Sequence, residues 1–364
     1  MIIAVSLILL GYIVLITILF AGWIKSQKLK LSTFPTEAFI SVLIPVRNEE
    51  KNIVALLQSL SRQDYTRFEV IAVDDHSEDL TVTEISRLNF PFVRVITNAG
   101  VGKKQAITTG VNFASGNIIA TTDGDCTIPG EWLKSINTYF SDENTVMLIG
   151  GVCIKKSKTF FQKLQEIEFA SLIGSSASTL ALGFPTMCNG ANLSYRKEVF
   201  HQVNGYEGNL QIASGDDEFL MRKVSMIFPK GIKFLANKNA VVQTLPQPDL
   251  PKFIQQRLRW ASKWKHNSSI MPMLLAFFIF MIQLSVLCGY VEIIRNHNSI
   301  ILSLLAIKIF FEMVLLLSFC RFLGVRWNWG AFLTLQIFYP VYVIFIGIRS
   351  FFNVYTWKDR NYKS

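Results

Sequence analysis

The sequence predicts an α/β domain with a mostly parallel, Rossmann-like sheet, flanked by transmembrane helices. Three observations carry this. Apolar runs of strand length alternate with helical stretches between residues 39 and 152. Acidic residues follow those runs at regular places. Long uncharged stretches stand at both ends of a chain that is 51% hydrophobic, more apolar than an ordinary soluble protein.

No Lys, Arg, Asp or Glu precedes Lys25, none lies between Lys265 and Glu292, and none between Arg326 and Arg349. Residues 298–320 are apolar except for Lys308 and Glu312. A helix needs about 20 apolar residues to cross a bilayer, which predicts spans near 2–24, 270–291, 299–320 and 328–348. A cleaved signal peptide would start with basic residues and end at a small-residue cleavage site. The first span has neither, so it reads as an anchor. Lys25, Lys28 and Lys30 follow it, and Arg257, Arg259, Lys263 and Lys265 precede the second span. Both flanks place the intervening region in the cytoplasm. The expected organisation is an anchor at 1–24, a cytosolic domain with interfacial helices at 25–269, transmembrane segments at 270–350 and a basic tail at 351–364. The expected location is the cytoplasmic side of the cell (inner) membrane. Four crossings put the C-terminus outside, whereas Arg349, Lys358, Arg360 and Lys363 favour inside, as a re-entrant late segment would allow. Lys308 and Glu312, four apart, can pair on one helix face.

"FISVLIPV" (39–46), "FEVIAVDD" (68–75), "VRVIT" (93–97), "NIIATTD" (117–123) and "VMLIGGV" (146–152) read as strands. "NIVALLQSLSRQ" (52–63) and "KKQAITTGVNFA" (103–114) read as helices between them. Such alternation gives βαβ units, which bind ligands beyond the C-terminal ends of the strands. Glu49, Asp74, Asp75, Asp123 and Asp125 fall at those ends. An anionic edge repels a bare phosphate. Mg²⁺ or Mn²⁺ reverses this, held by one or two carboxylates together with substrate phosphate oxygens. The pair Asp123 and Asp125, with Gly124 between for close backbone approach, can hold a metal against a nucleotide diphosphate; a solvated turn is the alternative. The segment 160–184 reads as an interfacial amphipathic helix, with a buried core helix as the alternative.

The net charge of +10 is crowded beside the spans and fits a membrane surface. Nucleic-acid binding would need a basic groove with stacking aromatics, and this edge is acidic. The five Cys form no C-x-x-C pair, and the four His show no zinc spacing.

The ordered series "SVLIPVRNEE" (41–50), "EVIAVDDHSEDLT" (69–81), "VGKKQAITTG" (101–110), "TTDGDC" (121–126), "CNGANLSYRKEVF" (188–200), "SGDDEFL" (214–220) and "QQRLRW" (255–260) resembles membrane-bound family 2 glycosyltransferases. These have a GT-A fold with D-x-D and Q-x-x-R-W motifs. The chain looks like the branch that includes ceramide glucosyltransferase-like enzymes. "WKDRNY" (357–362) resembles a WKGR-x-Y tail, with Asp359 in place of Gly.

The resemblance implies that Pro45, Glu49 and Asp75 contact the nucleotide. Lys103 stands on the diphosphate side, with Lys104 as a substitute. Asp123 belongs to the donor site and Asp125 to the metal. Asp217 is the general base, and Asp216, Gln256 and Trp260 lie on the acceptor and diphosphate side. Arg259 counters charge on the departing diphosphate, because guanidinium binds phosphate through two parallel donors. The implied activity is inverting transfer from a nucleotide-diphosphate sugar, UDP-linked, to a membrane lipid. The alternatives are a processive polysaccharide synthase and a non-catalytic scaffold that retains the fold.

Overall fold

The computed structural model describes residues 2–28, 37–155, 157–210, 212, 215–262, 270–350, 352, 354–357 and 360–363. Lys30, Ser214, Lys263, Lys265, Lys358 and Asp359 lie outside the described residues.

The first helix is α1 (Ile2–Ser26). The alternating region follows as β1 (Ile40–Val46), α2 (Ile53–Leu60), β2 (Phe68–Asp74), α3 (Thr81–Leu88), β3 (Val93–Thr97), α4 (Lys103–Phe113), β4 (Ile118–Thr121) and α5 (Trp132–Phe140). Next come β5 (Met147–Gly150), β6 (Val152–Ile154), α6 (Phe160–Ala181), β7 (Leu193–Arg196), α7 (Lys197–Gln202), α8 (Asp216–Ile227), β8 (Ile232–Leu235) and β9 (Val242–Thr244). The chain ends with α9 (Leu250–Ser262), α10 (Ile270–Asn296), α11 (Ser299–Leu323), α12 (Trp329–Arg349) and the hairpin β10 (Val354–Trp357) and β11 (Arg360–Lys363).

Two compact units result. One comprises residues 24–155 and 176–245; the other comprises 1–23, 156–175 and 246–364. The first holds a seven-stranded sheet of order β3-β2-β1-β4-β7-β5-β8. β1 is parallel to both β2 and β4, with Ile40 opposite Phe68 on one side and Ile118 on the other. β1 and β4 are apolar at nearly every position because helices cover both faces. On α2, Ile53, Leu56, Leu57 and Leu60 are buried, the i, i+3, i+4, i+7 stripe of a helix docked on a sheet.

The structure departs from the sequence reading at two places here. The run 146–152 is two strands: β5 stays in the main sheet, and β6 pairs with β9 in a separate two-stranded sheet. β7 lies antiparallel between β4 and β5, so the sheet is mixed at that point.

Asn192 ties these parts together. Its amide donates to Gly151 O (2.8 Å) and Ala240 O (3.0 Å), and its oxygen accepts from the indole of the fully buried Trp132 (2.8 Å). Gly150 leaves room for it: a Cβ there would stand 2.1 Å from Asn192 Cγ.

In the second unit, α1, α10, α11 and α12 are long and apolar enough to cross a membrane, four helices among the described residues. Val5 and Leu9 of α1 pack with Ile282 and Val286 of α10 and with Ile301 and Leu305 of α11. Lys308 pairs with Glu312 (2.9 Å) and donates to Gln336 Oε1 (2.8 Å), and the Tyr12 hydroxyl donates to Glu312 (2.6 Å). The expected i,i+4 pair is therefore part of a network joining α1, α11 and α12.

The amphipathic pattern expected over 160–184 is absent from the middle of the segment. Residues 165–170 of α6 are buried without interruption, Gln165, Glu166 and Glu168 included. Six consecutive buried residues cover every direction around a helix, so residues 165–170 present no exposed face, while Phe160 and Phe184 near the two ends of the segment are exposed.

Gly150→Ala should destabilise the protein by about 2–4 kcal/mol, because overpacking adds to the loss of Asn192 hydrogen bonds. Thermal unfolding of the full chain in detergent checks this, and an unchanged melting temperature would show that Asn192 yields freely.

Candidate active site

The parallel register aligns the ends of β1, β2 and β4, so their loops share one edge. Arg47 stitches the first two loops. Its buried guanidinium donates to Asp75 O (2.9 Å) and His76 O (2.6 Å) and pairs with Glu78 (2.9 Å). Further bonds run from Glu49 N–H to Thr81 Oγ1 (2.7 Å) and from Glu50 N–H to Asp79 Oδ2 (3.1 Å). Sequence reasoning assigned no role to Arg47, because its partners lie about thirty residues on, across the sheet.

Asp75 is buried and accepts from Asn98 Nδ2 (2.7 Å) and Gly102 N–H (2.8 Å) through one oxygen. It thereby fixes the loop that leads into α4. Pro45 is half-buried near the end of β1. Glu49 accepts from Asn52 Nδ2 (2.8 Å), and its stem crosses Gly124 so closely that a Cβ there would be 2.9 Å from Glu49 Cγ. The Gly between the two aspartates thus admits the Glu49 side chain.

Lys103, at the start of α4, joins the two acidic segments. Its ammonium is 2.7 Å from Asp123 Oδ1 and 3.2 Å from Asp216 Oδ2. Burial pulls the ammonium toward neutrality, and Asp123 and Asp216 more than reverse this, holding it well above its ordinary value. Lys104 is built into the fold instead: it donates to Asn209 O and Ile212 O (2.7 Å each) and lies over the Phe219 ring.

Asp216 and Asp217 occupy the first turn of α8, where the helix dipole favours carboxylates. Asp217 accepts from Gly190 N–H (3.1 Å) and Glu218 N–H (2.7 Å). Thr121 O–H bonds to Gly190 O (2.7 Å), tying β4 to the same loop. Asp125 accepts from Thr244 O–H at 3.5 Å. Burial, then Asp125 and Asp123, push the Cys126 thiol well above its ordinary range, which disfavours the reactive thiolate.

Among the described residues, no three His, Cys, Asp or Glu side chains form a ready-made metal cage. The donors on hand are carboxylate oxygens, which suit a hard cation, and Mg²⁺ or Mn²⁺ sites commonly use one or two carboxylates with substrate oxygens completing the shell. The structure also already places a positive group, the Lys103 ammonium, among these acids. The residues fit such a metal.

Gln256, Arg259 and Trp260 belong to the other unit, on α9. There the buried charge within the motif is Arg257, which the sequence counts only among the basic residues that precede the second span. Its fork meets Glu168 of α6 at 2.9 and 2.5 Å, and its plane lies 4.3 Å from the rings of Phe253 and Trp260. Gln256 Oε1 accepts from Arg257.

The sheet with its small companion sheet has a GT-A architecture, accompanied by helices long and apolar enough to cross a membrane. A mannosyltransferase from Pyrobaculum calidifontis, solved in complex with GDP-Man and Mn²⁺, has the same fold, with TM-score 0.54 and 15% identity over 96% of this chain and 98% of that one. Residues 41–203 match the family model Glycosyl transferase family 2. Glycosyltransferase AglE of Haloferax volcanii is 28% identical over 207 residues, 52% of this chain and 62% of that protein. The chain therefore spans just over three-fifths of that relative. The dolichyl N-acetyl-α-D-glucosaminyl phosphate 3-β-D-2,3-diacetamido-2,3-dideoxy-β-D-glucuronosyltransferase of Methanococcus voltae is 25% identical over 241 residues, 62% of this chain and 72% of that protein.

Lys103→Met should lower stability in chelator by about 1–3 kcal/mol. This is less than the cost of breaking a fully buried pair, because the Asp123 side chain is 38% exposed. Thermal unfolding with and without Mn²⁺ checks it: the variant should recover more on adding the metal than the parent protein does.

Proposed function

We propose that this chain is a membrane-anchored, inverting glycosyltransferase that moves a sugar from a nucleotide-diphosphate sugar, UDP-linked, to a membrane lipid. The carrying observation is the junction of Asp123, Lys103 and Asp216, which joins the β4 loop to the α8 turn bearing Asp217. Support comes from the family 2 match and the four long apolar helices. The relative from Methanococcus voltae is named for a dolichyl-phosphate-linked sugar acceptor, which favours a lipid here. The ceramide glucosyltransferase-like branch is the finer reading of that class.

In this reading Pro45, Glu49 and Asp75 line the nucleotide side. Asp123 and Asp125 would hold Mg²⁺ or Mn²⁺, chiefly through Asp125, and the ion would supply charge neutralisation for the diphosphate. Lys103 turns its ammonium to the same diphosphate. Asp217, oriented by Gly190 N–H and Glu218 N–H, accepts the proton of the attacking acceptor hydroxyl, a role suited to a positioned carboxylate. Asp216, Gln256 and Trp260 serve the acceptor and diphosphate side. Arg259 offers its fork to the departing diphosphate. The basic flanks of the spans support a cytoplasmic side of the cell membrane for the domain.

The test incubates purified protein and labelled nucleotide sugar with membrane lipid, followed by organic extraction. Label is expected in a lipid carrying one or a few sugars. Label only in a water-soluble polymer would favour a processive synthase, and no transfer with any donor would favour a scaffold. Asp217→Asn should lower turnover about 10²–10⁴-fold while nucleotide affinity stays near that of the parent protein. Asp125→Asn should abolish metal-dependent donor binding in calorimetry, and full activity in excess chelator would overturn the metal's role.

A further inference from the structure

The Arg257–Glu168 pair lies deep within its unit, with both residues about 5% exposed. It is bidentate, and it connects α9 to α6 across a separation of 89 residues. The Tyr342 hydroxyl of α12 also reaches Glu168 (3.4 Å), so one carboxylate ties three helices. Aromatic rings close the surroundings. Phe253 packs on Phe161 and Tyr342 (5.6 Å each), and Trp260 packs on Phe169 (6.1 Å).

Helix geometry divides the motif in two. Phe253, Arg257 and Trp260 stand at i, i+4 and i+7 and share one face. Arg259 is turned by about 200° from Arg257, and Gln256 lies about 60° from Arg259, at 100° per residue. Arg259 therefore projects from the side away from the anchor, while Gln256, whose Oε1 accepts from Arg257, is held directly by it. A single-contact ion pair would allow α9 to roll about its axis. A planar fork held at two points between two rings does not, because its plane and the direction of the carboxylate are both set.

We infer that Glu168 and Arg257 are positioning residues, whose bidentate pair sets the rotation and register of α9 and so the direction in which Gln256 and Arg259 are presented. The inference rests on the transferase reading above, in which Arg259 acts on the diphosphate. In the same geometry, Trp260 serves as a packing member of the anchor as well as part of the motif.

The test is a double-mutant cycle on the full chain in lipid nanodiscs. Turnover is measured per nucleotide-binding site, well below each variant's melting temperature. Arg257→Lys keeps the charge and loses the fork. It should lower kcat about 10–100-fold, the scale of an ångström-sized misplacement, with affinity for UDP and Mn²⁺ changed less than about twofold. In an Arg259→Met background the same substitution should cost less than about twofold, because the group it positions is gone. Glu168→Gln, which probes the bond from the other partner, should behave alike and serves if Arg257→Lys does not fold. Loss of a buried pair lowers the melting temperature on either reading, but a merely structural role would leave turnover per binding site intact, or cost the same in both backgrounds. Either of those two turnover results overturns the inference. If Arg259→Met alone kept full turnover, the catalytic reading of the motif would fall first, and the positioning role with it.

Discussion

Carboxylates gathered at one edge of a sheet repel one another, and the arrangement of the α/β unit answers that repulsion. At about 4 Å and an effective dielectric near 20, two like charges cost on the order of 4 kcal/mol. The Lys103 ammonium between Asp123 and Asp216 turns this into attraction. The N–H groups that Asp217 accepts from contribute in the same direction. The acidic edge is thus stable beforehand because it carries a positive group of its own.

That edge exists because β1, β2 and β4 are parallel and in step. Each crossover returns the chain to the same side, so every strand delivers its following loop to the same end. The loops are then joined side by side, by Arg47 between the first two and by the stem of Glu49 over Gly124 between the first and the fourth strand. Arg47 donates to two carbonyls of the second loop and pairs with Glu78. It fixes backbone carbonyls, which set where Asp75 begins.

Much of this was legible in the sequence, for reasons that can be named. Strands covered on both faces read as continuous apolar runs, and span-length helices read as long uncharged ones. The acids at strand ends follow directly once the strands are placed. β7 was not legible, since "LSYR" mixes polar and apolar residues and its antiparallel pairing with β4 and β5 depends on chain return. Neither was the role of α6. Its buried Gln165, Glu166 and Glu168 look solvent-facing in one dimension, because their partners are supplied by distant segments. Arg47 and Arg257 were hidden in the same way. An arginine inside a motif announces a charge but does not reveal whether that charge meets a ligand or a carboxylate of the same chain.

The second unit obeys the rule that governs the first. Lys308, Glu312, Tyr12 and Gln336 complete one another among apolar helices, and Arg257 and Glu168 do so on α9 and α6. A charge removed from water is tolerated when its partner is fixed, and fixing a partner also fixes the helix that carries it. Orientation is therefore a by-product of neutralisation. In the α/β unit the neutralised group is the candidate site itself. In the helical unit the neutralised groups lie beside the motif, and they set the side of α9 from which its remaining polar residues extend.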